Sequence, residues 1–134
     1  MIPRTVFAML LVGALFLSAC GEEDRSQAEL GAIWLTEHRL HQPFGPIGKI
    51  NKITVESAKL IRMYIDIPDK RHADAIDAQS LMFQSMVAKY ACPSKGADLW
   101  PLLGQEISLR VDLMTGSDHV ASAICEGPKV VSGG

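Results

Sequence analysis

The chain has 134 residues, 48% of them hydrophobic, and 13 basic side chains against 15 acidic ones give a net charge of −2. That length allows one domain with a real core and is too short for two. Nucleic-acid binding needs a basic footprint, and this charge balance carries none.

Arg4 lies in a short basic start, followed by an apolar run from Val6 to Leu17. About 12 residues are too few for the roughly 20 of a bilayer-crossing helix, and the layout is that of a secretory signal peptide. Leu17-Ser18-Ala19-Cys20 resembles the lipobox of bacterial lipoproteins. The resemblance implies removal of residues 1–19, palmitate or similar acyl chains on Cys20, and anchorage in the cell envelope. Gly21 is not the aspartate that retains such lipoproteins in the inner membrane, so for a Gram-negative host the resemblance implies the periplasmic leaflet of the outer membrane. Removing residues 1–19 leaves 115 residues with 12 basic and 15 acidic side chains, a net charge of −3. Glu22-Glu23-Asp24 next to the lipid site disfavours anionic headgroups, so membrane binding rests on the acyl chains. Residues 20–26 read as a lipid-bearing linker, 27–126 as a single α+β domain and 127–134 as a flexible tail.

Ser26-Gln27-Ala28-Glu29 has capping-box spacing and starts a helix over about 27–41, with Leu30, Ile33, Trp34 and Leu40 or His41 as its apolar stripe. The prolines and glycines of Gln42 to Gly48 stop it. From Ile53 to Ile67 the period is two, the mark of a half-buried strand with one polar face. Ser57-Ala58-Lys59 interrupts it, so the segment is either one bent strand or two short ones. His72 to Ala91 reads as one helix, with Ala73, Ile76, Ser80, Phe83, Val87 and Tyr90 spaced by threes and fours and Met82 and Met86 alongside. That is a wide apolar face able to lie on a sheet. After a loop through Trp100, Ile107, Leu109, Val111 and Leu113 alternate with polar residues. Thr115-Gly116-Ser117-Asp118 turns the chain, and Val120 to Cys125 returns as the second arm of a hairpin. The expected fold is α+β: helix-strand-helix-strand-strand, a small mainly antiparallel sheet with one long helix packed on it.

With Cys20 committed to lipid, Cys92 and Cys125 form an even pair, which in an exported chain reads as a disulfide. Closing a loop of about 33 residues stabilises by roughly 3–4 kcal/mol in the chain-entropy model. Chemistry is harder to find. Glu37, His38 and His41 share a helix but lack a third protein ligand and the His-Glu-x-x-His order. Ser117-Asp118-His119 has the side chains of a hydrolase triad, yet contiguous turn residues cannot line up as nucleophile, base and orienter. Asp66, Asp69, Asp74 and Asp77 suit a helix N-terminus better than a calcium loop. No catalytic residue, metal or cofactor is therefore expected, and the chain reads as a non-enzyme.

Two apolar segments remain, Leu99-Trp100-Pro101-Leu102-Leu103 and Pro43-Phe44-Gly45-Pro46-Ile47. They serve either as lids over the core and an open sheet edge or as partner surfaces. Trp100, Leu99, Leu102, Leu103 and Phe44 are the candidate partner-binding residues. Six residues, Gly21 to Ser26, reach roughly 20 Å, so a partner must also lie near the bilayer, as another envelope protein would. The expected role is a non-enzymatic, lipid-anchored periplasmic binding or assembly module. In layout it is similar to the pilot lipoproteins of secretion systems, which escort outer-membrane channel subunits. The alternative is a periplasmic enzyme inhibitor or small hydrolase.

Overall fold

The computed structural model describes residues 26–129. The signal segment, Cys20, most of the linker and residues 130–134 lie outside the described residues. The elements run α1 (Gln27–His38), β1 (Pro43–Phe44), β2 (Gly48–Ser57), β3 (Leu60–Asp66), α2 (Lys70–Asp77), α3 (Leu81–Lys89), α4 (Leu99–Leu103), β4 (Ser108–Thr115) and β5 (Asp118–Cys125). The strands form one five-stranded sheet in the order β1-β2-β3-β4-β5.

The α+β class holds, with two corrections to the expected architecture. First, the sheet is mixed: β3 and β4 run parallel, Ile61 beside Leu109 and Ile65 beside Leu113, while the other neighbours are antiparallel. A parallel neighbour needs a crossover, and α2, α3 and α4 supply it. Residues 53–67 resolve into two strands, because Ala58-Lys59 turns the chain back and Lys59 O accepts the Ser108 N–H at 2.8 Å.

Second, there is no single long helix. The expected 72–91 helix breaks at Ala78-Gln79-Ser80. Ser80 has extended backbone (φ −62°, ψ 156°) and its hydroxyl accepts the Phe83 N–H. A serine counted into an apolar stripe is thus a helix start, its usual role. The Gln84 amide seals the junction by donating to Asp77 O and Gln79 O, both at 3.0 Å. Upstream, the Asp69 carboxylate caps α2 through the Arg71 N–H.

All the helices cover one face of the sheet. Ile61, Met63 and Ile65 of β3, Leu109, Val111 and Leu113 of β4, and Ala121, Ala123 and Cys125 of β5 are in register on that face and buried. Ser26 caps α1 as expected, its hydroxyl accepting the Glu29 N–H at 3.2 Å. The buried stripe of α1 is Ala28, Gly31 and Leu35, however, and Leu30 and Ile33 face outward. Gly31 explains the exchange: a Cβ there would collide with Leu103 of α4 and Ile61 of β3. Close approach of the helix favours its small side over its bulky one.

Candidate partner-binding surface

The Cys92–Cys125 disulfide is present, with Cα atoms 5.5 Å apart. It ties the segment after α3 to the end of β5. Beside it, Trp100 is buried: its indole N–H donates to Ser94 O at 2.7 Å, and Gly127 lies so close that a Cβ there would strike the ring. Leu99 and Leu103 are fully buried, Phe44 is buried, and only Leu102 reaches solvent. The structure therefore places four of the five candidate partner-binding residues in the core. The two apolar segments act as lids there, α4 beneath α1 and β1 paired along the edge of β2.

The most exposed large apolar side chains lie instead on α3 and at its C-cap Tyr90, while Leu30, Ile33, Val55, Leu102 and Ile124 are open to a lesser degree. Leu81 is 82% exposed, Met82 76% and Tyr90 80%, with Phe83 and Met86 also open to solvent. Met82, Met86 and Tyr90 follow one another at four-residue steps, a single ridge along the helix. Only Ala88 of α3 is fully buried, with Val87 half-buried. Residues 81–90 hold more large apolar side chains than one inward face can take, and that surplus was the sequence signal for an outward patch. The continuous spacing across Ser80 hid it, because the break resets the helix phase.

The ridge ends in an open groove of roughly 350 Å³ lined by Phe44, Pro46, Ile47, Val87, Tyr90 and Arg39 among others. Arg39 is held by donating from Nη2 to Ala91 O at 2.8 Å. Its Nε–H is buried without an acceptor, and burial lowers the guanidinium pKa from its ordinary value. The groove is therefore mostly apolar, with Arg39 as the charged side chain among its lining residues.

The other face of the sheet is uncovered and polar. Asp112 is its centre, with a side chain only 3% exposed. Arg110 Nε donates to Asp112 Oδ1 at 3.2 Å, His119 Nε2 lies 2.9 Å from the same oxygen, and Arg62 Nε stands 3.1 Å from Oδ2 as an ion pair without hydrogen-bond alignment. Arg62 also donates to the Tyr64 hydroxyl, which donates to Glu56. The Thr54 hydroxyl, then Arg62 and Tyr64, hold the Glu56 carboxyl below its usual pKa, and the Tyr64 hydrogen bond raises that of Arg62. This network satisfies a charge on a central strand. It holds carboxylates, a histidine, arginines and the Thr54 and Tyr64 hydroxyls, and an open depression of roughly 260 Å³ lined by Lys52, Tyr64, Asp66 and Met114 among others lies beside it.

The remaining candidates for chemistry stay apart. His38 stacks on Trp34 with ring centroids 4.3 Å apart, its Nδ1 2.9 Å from Trp34 O. Asp74 pairs with Lys70, and Asp69 with Arg71. His119 meets Asp112 rather than its chain neighbours Ser117 and Asp118. Among the described residues no three His, Cys, Asp or Glu side chains are grouped to hold a metal, and no helix is long and apolar enough to cross a membrane. The fold and surface define a disulfide-tied α+β domain with helices on one sheet face and an apolar ridge and groove on the helical side. No protein-family model, curated protein or solved structure matches the chain.

Proposed function

We propose that this protein is a lipid-anchored, non-enzymatic binding or assembly module of the bacterial cell envelope, tethered through Cys20 to the periplasmic leaflet of the outer membrane. The observation that carries the binding role is the α3 ridge: Leu81, Met82, Phe83, Met86 and Tyr90 face outward on a domain whose other large apolar side chains are mostly packed away. Contiguous exposed apolar surface of this kind marks an interaction site, and methionine-rich surfaces adapt to a partner's shape. The lipobox-like Leu17-Ser18-Ala19-Cys20 supports the anchor, and the short tether restricts partners to those at the same bilayer.

Cell fractionation of the wild type and of Cys20→Ala tests the anchor. The wild type is expected in the membrane fraction at mature mass, and globomycin should accumulate a heavier precursor. Cys20→Ala should remain uncleaved, because the lipoprotein peptidase acts on the lipid-modified form. Mature, soluble Cys20→Ala protein at normal levels would show an ordinary signal peptide and end the lipoprotein reading.

A further inference from the structure

Four arginines lie among the described residues, and three of them meet carboxylates: Arg62 and Arg110 at Asp112, and Arg71 at Asp69. Arg39 pairs with none among the described residues. It is the half-buried C-cap of α1, and burial lowers its pKa from the ordinary value. It lines the groove of roughly 350 Å³ that α1, the β1–β2 turn and the end of α3 enclose. We propose that this groove is a binding site for a small amphipathic carboxylate, an apolar aliphatic or aromatic body ending in one acid group that pairs with Arg39. The site needs neither a partner on the ridge nor the lipid anchor.

The lining sets the chemistry. Pro43, Phe44, Pro46, Ile47, Ile50 and Val87 supply apolar walls, and the Arg39 guanidinium and the Tyr90 hydroxyl are the polar side-chain groups among the lining residues. Of the three guanidinium nitrogens, Nη2 donates to Ala91 O at 2.8 Å and Nε is buried. Nη1 is neither buried nor hydrogen-bonded among the described residues, so it is the edge left to a ligand. The carbonyl ends of α1 and α3 offset part of the charge, as helix C-termini do. They supply fractions of a charge, and a carboxylate accepts from a guanidinium about twice as strongly as a neutral acceptor does. The lining includes no acidic side chain, so a cationic amphiphile finds no partner there.

Size and polarity select a small molecule over a peptide. The volume falls at the low end of the roughly 300–1,000 Å³ of small-molecule sites. A peptide carries an N–H and a C=O at almost every residue, and walls of proline, phenylalanine, isoleucine and valine side chains would leave those groups unpaired at a cost. A ligand with one polar end needs one polar fixture, and Arg39 is that fixture.

Calorimetric titration of the full chain, in nanodiscs where it carries lipid and in buffer where it does not, tests the site with three probes that share one body: 4-phenylbutyrate, 4-phenylbutanol and 4-phenylbutylamine. The acid should bind about tenfold or more tighter than the alcohol, the gain expected of a hydrogen bond to a charged group, and the amine should bind most weakly. Arg39→Gln should bring the acid down to the affinity of the alcohol and leave the alcohol unchanged. Ile47→Trp, which fills the groove and keeps Arg39, should abolish binding of both. Thermal unfolding without probe checks that each variant is folded, and the comparison of probes on the wild type stands without any variant. Equal affinities of the wild type for acid and alcohol would overturn the proposal, as would no binding of the acid up to its solubility limit. Undiminished binding of the acid to folded Ile47→Trp would place it elsewhere and overturn it too. A tripeptide ending in phenylalanine that binds more tightly than the acid assigns the groove to a chain terminus, with the same consequence.

Discussion

The outer surface of α3 and the open face of the sheet are both uncovered, yet they differ in what they lack. On the sheet face the buried Asp112 carboxylate is met by Arg110, Arg62 and His119, and Glu56 by Thr54 and Tyr64. Its charged groups are paired within the chain, although Arg62 Nε and Asp112 Oδ2, 3.1 Å apart, are buried without an aligned hydrogen bond. On α3 and its C-cap the apolar Leu81, Met82 and Tyr90 have little cover among the described residues. Exposure alone therefore does not identify a functional surface. What separates the two is uncovered apolar area, because burying such area stabilises by about 25 cal/mol per Å² whoever supplies the cover.

Substitutions should separate core, sheet face and ridge by their effect on folding. Trp100→Ala, at a side chain buried behind Gly127 and bonded to Ser94, is expected to cost about 3–5 kcal/mol in denaturant unfolding. A melting temperature equal to the wild type would return Trp100 to the surface. Replacing Cys92 and Cys125 together by serine should cost about 2–5 kcal/mol and abolish the mobility difference between reduced and oxidised protein on a gel. Two labelable thiols in native protein alkylated on extraction would refute the bridge in cells.

The comparison itself is broken most directly at Asp112. Asp112→Ala leaves two arginines facing one another and should cost about 2–3 kcal/mol, below the ~3–5 of a fully buried pair because Arg62 and Arg110 still reach water. By contrast Met82→Ser or Met86→Glu, on the ridge, should change monomer stability by no more than about 0.5 kcal/mol. If the ridge variants destabilised the monomer as much as Asp112→Ala, α3 would be packed and the contrast would vanish. The smallest effect concerns Asp69. Its carboxyl is held below the ordinary value by the Arg71 side chain and then by the Arg71 N–H. A lowered folded-state pKa contributes stability that is present above the unfolded value and lost as pH falls through the folded one. The melting-temperature gap between wild type and Asp69→Ala should therefore be seen at neutral pH and close on acidification below the carboxylate range.

Local chemistry was legible from the residues alone. Ser26 as a cap, the hairpin around Gly116, the alternation in β3 and β4, and the pairing of Cys92 with Cys125 depend on neighbours in the chain or on three cysteines with Cys20 set aside as the expected lipid site, and each is where the sequence puts it. Hydrophobic periodicity could say that residues 72–91 are helical and apolar. It could not say which side would be covered, because Ser80 fits a stripe and an N-cap equally well until the backbone around it is known. Only the tertiary structure decided three things: that β3 lies parallel beside β4, that Gly31 lets α1 bury its small side against Leu103 and Ile61, and that Leu81, Met82, Phe83, Met86 and Tyr90 point away from the core. The physical reason is common to all three. A sequence pattern specifies a face, and the choice between burying it and leaving it open depends on how much sheet the other helices have already covered.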